Sequence, residues 1–325
     1  MKNVCVHGGN SMKRLVDTTK ITHEEWLRYR KMGITGTDAA SICGLNPYKS
    51  AMQVFIDKTT DAIEEYDNEP MRQGRDLEEY VAQRFCEETE KKVRRINAIC
   101  ISDEHPFMLA DFDRIVVGER AGLECKTVSA YAYASNQWKG GALPLHYQLQ
   151  CMHYLSVSNL ERWYVAVLIL GKGFVVHTIE RDEELIQSLN VIEKRFWEDN
   201  VLAGVIPEPD GSKQAGELLA KYYPKEKGKR TVLSEQFSLQ LKRREELTEL
   251  IKKMESEKKT IEQTLLKYLG ENESTEAENS QFFVRWTSYD NTRIDTDLLK
   301  REAPEIYERY KKVSPANRLT IKAVA

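Results

Sequence analysis

LADFDRIVVGERAGLECKT, residues 109–127, decides the architecture. β-Branched and apolar residues flank a polar, glycine-bounded stretch, the pattern of two strands joined by a turn. With residues 118–121 as a four-residue loop, Val117 faces Gly122, Asp113 falls opposite Lys126, and Glu124 is a diagonal neighbour. Strand alternation puts Asp113 on the face of Ile115 and Val117, and Glu124 on the face of Lys126, so that all three charges converge. Two carboxylates at that separation repel each other unless something positive lies between them, and a divalent cation supplies that charge better than one ammonium. The pattern therefore leads to an Mg²⁺ or Mn²⁺ site held by Asp113, Glu124 and the backbone carbonyl of Cys125. A cation there would lower the pKa of a bound water and polarise a phosphodiester, with Lys126 placed to orient or deprotonate that water. A solvated ladder of ion pairs is the alternative reading of the same three residues.

Outward from this hairpin, the hydrophobic period separates helices from strands. THEEWLRYRKMG (22–33) predicts a helix capped by Thr22, with Glu25 three residues on and Gly33 as the stop. A short helix, a turn at Asn46–Pro47 and a helix turning Met52, Phe55 and Ile56 inward come next. Leu77, Val81 and Phe85 then recur every four residues along an amphipathic helix. AICIS, PFMLADFDRIVV, AGLECKTV, RWYVAVLIL and GFVVHTIE read as strands, with the helix PLHYQLQCMHYLSVS between the third and fourth. The first dozen residues, containing HGGNS, read as a flexible opening. The expectation is an α/β (α+β) protein with a mixed central sheet flanked by helices.

The helix DEELIQSLNVIEKRFWEDNVLAG closes this unit at the Pro/Gly-rich VIPEPDGS, which sets the expected domains at 1–209 and 210–325. In the second, residues 234–270 read as one long helix with a coiled-coil-like seam of Leu247, Ile251, Met254, Ile261, Leu265 and Leu269, interrupted by Lys258. KYYPKEKGKR (221–230) is a basic segment before it, and a small α+β end closing on RLTIK follows. This part is expected to be an accessory domain.

Composition bounds the function classes. With 48 Lys plus Arg against 51 Asp plus Glu, the formal charge of −3 gives no global attraction to a polyanion, so nucleic-acid contact must be local. The longest apolar run, WYVAVLIL (163–170), is too short to span a bilayer, and the opening residues lack a signal region. A cytoplasmic location without a membrane partner is expected. The six cysteines show no CxxC pair, which argues against a zinc or iron–sulfur site.

The D-(x10)-E-x-K arrangement of Asp113, Glu124 and Lys126 resembles the PD-(D/E)XK nuclease signature. The order RYRKMGITGTDAASICGLNPYKS, QGRDLEE, LADFDRI, LECKT, HYQLQCMHYLSV, over about residues 25–200, is similar to the YqaJ and lambda-exonuclease group of viral recombinase nucleases. The resemblance implies a restriction-endonuclease-like core and Mg²⁺-dependent 5′-to-3′ digestion of double-stranded DNA ends, with Mn²⁺ as a substitute. The product would be a 3′ single strand for the single-strand annealing protein of a phage or prophage recombination system. Carried over by position, Asp113, Glu124 and Lys126 match the motif itself, and Glu78 in GRDLE matches a helix glutamate that reaches the metal directly or through water. Gln150 matches the glutamine that positions nucleophile or phosphate, whereas Gln148 points elsewhere on the helix. Arg30, Thr35 and Thr37 match the pocket for the terminal 5′-phosphate, with Arg28 as a competitor and Tyr48 and Lys49 as further DNA-contact candidates.

The family's usual SPDG is here Asp111-Phe112-Asp113-Arg114, which leaves open whether Asp111 shares the metal; alternation favours Asp113. Ring formation by the lambda-type relatives raises a homo-oligomer as an option. His146, His153, Trp138 and Trp163 read as packing residues. Two other readings stand beside the exonuclease: a structure-specific or site-specific endonuclease with the same metal site, and a catalytically silent DNA-binding or partner-binding module that uses the long helix.

Overall fold

The computed structural model describes residues 3–5, 11–63, 67–223, 231–312 and 319–321, and the chain divides into two compact units, 1–224 and 225–325. The first unit opens with β1 (Asn3–Cys5), β2 (Ser11–Asp17), α1 (His23–Lys31), β3 (Ile34–Thr35), α2 (Gly36–Ile42), α3 (Ala51–Thr59) and α4 (Glu69–Thr89). It continues through β4 (Val93–Arg94), β5 (Ala98–Ile101), β6 (Met108–Asp111), β7 (Arg114–Val116), β8 (Ala121–Ser129), α5 (Ala130–Tyr133) and α6 (Leu145–Ser158). β9 (Arg162–Leu170), β10 (Gly173–Glu180), α7 (Glu183–Arg195) and α8 (Lys213–Tyr222) complete it.

The strands form two mixed sheets, β1-β2-β5-β6-β3 and β10-β9-β8-β7-β4. A mixed α/β architecture is what the sequence implies, but the sheet is split where Phe112 and Asp113 leave both ladders between β6 and β7. Local chemistry explains the flanking elements. Thr22 and Glu25 close a reciprocal capping box on α1, and Ser50 with Gln53 does the same on α3. On one face of the second sheet, Val81 and Phe85 of α4 pack against Val116, Leu123 and Tyr164. On the opposite face, Ile115, Val165 and Val167 join Cys151, Leu155 and Trp163 in the largest core. Gly122 is required there, because a Cβ would sit 2.3 Å from the Trp163 ring.

Three expectations change. The turn joining β7 and β8 spans residues 117–120, so Arg114 pairs with Leu123 and Ile115 with Gly122. The register differs by two residues from the expected one, which brings Asp113 level with Glu124 instead of Lys126 and, being an even shift, leaves every side chain on its face. The opening is not wholly flexible: Ser11–Asp17 is a strand, with Lys13 to Asp17 paired to β5, while HGGNS lies almost entirely outside the described residues. The division between units falls after α8, not near residue 210, because α8 packs on α3 and buries Ala215.

The second unit contains α9 (Gln236–Glu271), the hairpin β11 (Glu276–Glu278) with β12 (Phe283–Arg285), α10 (Thr296–Glu302) and α11 (Pro304–Tyr310). Leu269 of α9 is buried, whereas Leu247, Ile251, Met254, Ile261 and Leu265 of the seam are exposed. The basic segment at 221–230 lies mostly outside the described residues, and of the closing RLTIK residues 319–321 are described, none of them in a strand.

Candidate active site

β8 presents Glu124 and Lys126 toward α6, which carries Gln150. Glu124 is 4% exposed, and its Oε1 accepts hydrogen bonds from Lys126 Nζ at 2.5 Å and Gln150 Nε2 at 2.7 Å. Its Oε2 is buried and has no hydrogen-bond partner among the described residues. Asp113, at the bend before β7, accepts the Cys125 N–H through Oδ2 at 2.7 Å. Burial pushes the Asp113 carboxyl well above its ordinary range, and the charges of Glu124 and Glu78 push it further; Lys126 and the Cys125 N–H offset only part of this. For Lys126, burial works against the ammonium, but Glu124, Tyr147 and Asp113 outweigh it and raise the pKa. The Lys126 ammonium donates to Glu124 in this arrangement.

This donor set fits a hard divalent cation: two carboxylates short of positive charge, one with an unused oxygen. Among the described residues no group of three or more His, Cys, Asp or Glu is gathered to hold a metal, so such a cation would rest on Asp113 and Glu124 as its side-chain ligands.

Glu78 stands apart from them. Arg114 leaves the strand on the α4 face with Leu123 and Val116, where its guanidinium, 3% exposed, donates to Glu78 at 2.5 Å and Glu79 at 2.8 Å. It also donates to the Asp113 carbonyl at 2.6 Å, which pins the bend. Glu78 is thus committed to Arg114, and it acts on Asp113 through its charge. Asp111 accepts Trp26 Nε1–H at 2.6 Å, with its carboxyl raised first by burial.

A second charged cluster lies around α2. Arg30 Nη2 donates to Thr35 at 3.3 Å and Thr37 at 3.1 Å, and its guanidinium stacks 4.5 Å from the Trp26 ring. Arg28 instead pairs with Glu24 at the surface. Behind Thr35 sits Asp38, 2% exposed, which accepts from the Thr35 N–H and hydroxyl, from Lys49 at 2.9 Å and from the buried Lys58 at 2.8 Å. Tyr154 links the clusters: its hydroxyl accepts from Gln150 at 2.9 Å, and its ring fills the place of the Cβ that Gly36 lacks. Gln148, by contrast, donates to the Leu143 carbonyl.

A YqaJ-like viral recombinase domain profile matches residues 25–161, the segment that carries all of these side chains but Glu24. The chain is also 37% identical over 315 residues to the uncharacterized protein YqaJ of Bacillus subtilis (strain 168), covering 96% of this chain and 98% of that one. The chain belongs to the YqaJ-like viral recombinase family. Solved structures similar to this family member include an alkaline exonuclease (LHK-Exo) of Laribacter hongkongensis, at 18% identity and TM-score 0.49 over 62% of this chain and 100% of that one. Another is a phage related exonuclease of Haemophilus somnus 129PT, at 10% identity and TM-score 0.42 over 55% and 99% of the two chains.

Within this member of the YqaJ-like family, four site residues were not singled out by sequence: Arg114, Asp38, Lys58 and Tyr154. Arg114 had a signal, since a basic residue in place of glycine in the Asp111–Arg114 block requires a partner. His153 is buried between Glu193 of α7 at 2.9 Å and the Leu109 carbonyl at 2.9 Å, and is structural. Trp138 and Trp163 are buried in the core. Among the described residues no helix is long and apolar enough to cross a membrane.

Proposed function

We propose that this chain is a divalent-metal-dependent nuclease that digests double-stranded DNA from 5′ ends, leaving 3′ single strands for annealing-type recombination. The observation that carries the reading is the buried Glu124 carboxylate, with one oxygen held by Lys126 and Gln150 and the other unpartnered, level with an Asp113 whose ionisation burial and neighbouring charge oppose. Asp113 and Glu124 would hold Mg²⁺, or Mn²⁺ in its place, with the Cys125 carbonyl as a third oxygen. When bound, the cation supplies charge to polarise the phosphodiester and acidify a water. The protein's own groups do the rest. Lys126 donates to the attacked phosphate or the incoming water, Gln150 fixes the Glu124 carboxylate, and Glu78 balances Arg114 so that the Asp113 bend stays in place.

The Arg30–Thr37 cluster supports recognition of a terminal 5′-phosphate. Thr35 spends its hydroxyl hydrogen on Asp38, so Thr37 is the donor in the 3.1 Å contact between the two hydroxyls, and the remaining N–H groups of Arg30 are the donors available to an anion. Membership of a viral recombinase family supports DNA as the substrate, and DNA ends and a single-strand annealing protein as partner belong to the same proposal.

Linear duplex DNA labelled separately at its 5′ and 3′ ends tests the reading, with a closed circle and a Lys126→Ala variant alongside, in Mg²⁺ and in EDTA. Early loss of 5′ label in Mg²⁺, with the circle intact and the variant inactive, is the expected result. Cutting of the circle would make the protein an endonuclease, and absence of cleavage in both Mg²⁺ and Mn²⁺ would make it a binding module.

A further inference from the structure

Tyr48 lies in the linker between α2 and α3 and is 67% exposed. A single exposed tyrosine needs no explanation, but this one is held from both sides. Its N–H donates to Asn46 Oδ1 at 2.9 Å, Asn46 is tied to Ser41 at 3.0 Å, and the next residue, Lys49, is anchored on Asp38 at 2.9 Å. These bonds place Tyr48 in a linker fixed next to Asp38, the carboxylate behind Thr35. On its other side it meets His146 edge-on, with centroids 6.0 Å apart and an interplanar angle of 87°. His146 in turn lies 4.1 Å from Tyr147, and Tyr147 carries the Lys126 ammonium 4.9 Å from its ring centre. Three aromatic rings thus run from solvent to Lys126, starting next to the Arg30 cluster.

The chemistry of this wall selects its ligand. Lys126, at the inner end, is the donor assigned above to the attacked phosphate, Lys49 is engaged by Asp38, and burial with the Lys126 charge lowers His146 to about 4, so the rings outward of Lys126 offer a neutral face. A flat, neutral group suits it, and every nucleobase has such a face. Resting on the nuclease reading above, we propose that Tyr48, backed by His146 and Tyr147, is the stacking platform for the unpaired base of the 5′-terminal nucleotide, between the Arg30 cluster and Lys126. The platform is sequence-tolerant and acts on an end that has been opened.

The test uses the full chain in EDTA with a 5′-phosphorylated linear duplex that carries 2-aminopurine as its terminal base or, separately, at an internal position. The fluorescence of the terminal probe is expected to fall on binding to the parent and to Tyr48→Phe and Tyr48→Trp, with the internal probe unchanged. Tyr48→Ala should bind about tenfold more weakly and lose the terminal signal. Equal signal and affinity in Tyr48→Ala, or a change at the internal probe as large as at the end, overturns the platform while leaving the nuclease reading in place. A parent that does not bind the duplex at all overturns both.

Discussion

Two buried charge clusters among the described residues, around Asp38 and around Glu124, are built from similar parts and end in opposite states. Around Asp38, two lysines, a threonine hydroxyl and a backbone N–H all meet one carboxylate. Burial alone would raise that carboxyl, but Lys49 and Lys58 more than offset it and hold Asp38 well below its ordinary value. Around Glu124, two carboxylates share one lysine, Asp113 is pushed well up, and Glu124 Oε2 has no partner among the described residues. A cluster that closes its own charge is architecture, since it needs nothing further; one left short of positive charge calls for a ligand. The first cluster stands directly behind Thr35, so the complete one positions the groups that face solvent.

The largest expected effect breaks the complete cluster. Asp38→Asn leaves Lys58, whose side chain is 2% exposed, with only the more distant Asp57 carboxylate at 3.6 Å, and urea unfolding at neutral pH should show a loss of about 3 kcal/mol. The pH dependence has a definite sign. A carboxylate whose folded pKa is depressed contributes stability above its unfolded value, near 3.8, and that contribution is lost as pH falls through the lower folded value. The parent should therefore lose this part of its stability only below about pH 4, and Asp38→Asn should lack that component of the acid transition. Equal acid profiles would mean that Asp38 is not the closed carboxylate described.

Lys126→Ala comes next and touches only the incomplete cluster. Removing the donor should lower DNA cleavage by about 10²–10³-fold, read as initial rate on linear duplex, while the melting temperature changes far less than in Asp38→Asn. A variant that cleaves at the parent rate would place the chemistry away from β8.

How much of this was legible in the sequence depended on separation along the chain. Thr22 and Glu25 are three residues apart, and their box forms as read. Asp113, Glu124 and Lys126 are joined by one hairpin, and the error in its register was even, so their convergence survived a wrong loop. Asp38 and Lys58 lie on different helices, and each alone has the pattern of a solvated helix residue; no periodicity says that they meet in a core. Arg114 was passed over for a related reason, because its partners Glu78 and Glu79 belong to α4, which approaches from the other face of the sheet. Only the first dozen residues were read, as a flexible opening, and β2 from Ser11 to Asp17 escaped that reading because SMKRLVD carries charges at three of its seven positions and its place in a sheet depends on β5.

Metal titration sharpens the contrast at a smaller scale. If Asp113 and Glu124 hold Mg²⁺ in the folded state alone, then at 100 times its dissociation constant the parent gains about 2.7 kcal/mol, seen as a rise in melting temperature. Asp113→Asn and Glu124→Gln should gain little. The Asp38 cluster predicts no Mg²⁺ response of its own, so a shift that persists in both variants would locate the ion elsewhere.

The smallest effect has the least expected sign. In EDTA, Asp113→Asn should be more stable than the parent by about 1 kcal/mol, because the substitution removes a charge from a site shaped for function and not for stability. An asparagine Oδ1 can still accept the Cys125 N–H, so the hydrogen bond that orients the side chain is kept, while the burial cost and the repulsion from Glu124 and Glu78 are relieved. The same aspartate-to-asparagine change thus lowers stability at residue 38 and raises it at residue 113. If Asp113→Asn instead melts below the parent without metal, the Asp113 carboxylate is already compensated by Lys126 and its backbone partner, and the distinction between a closed and an open cluster fails at its most direct point.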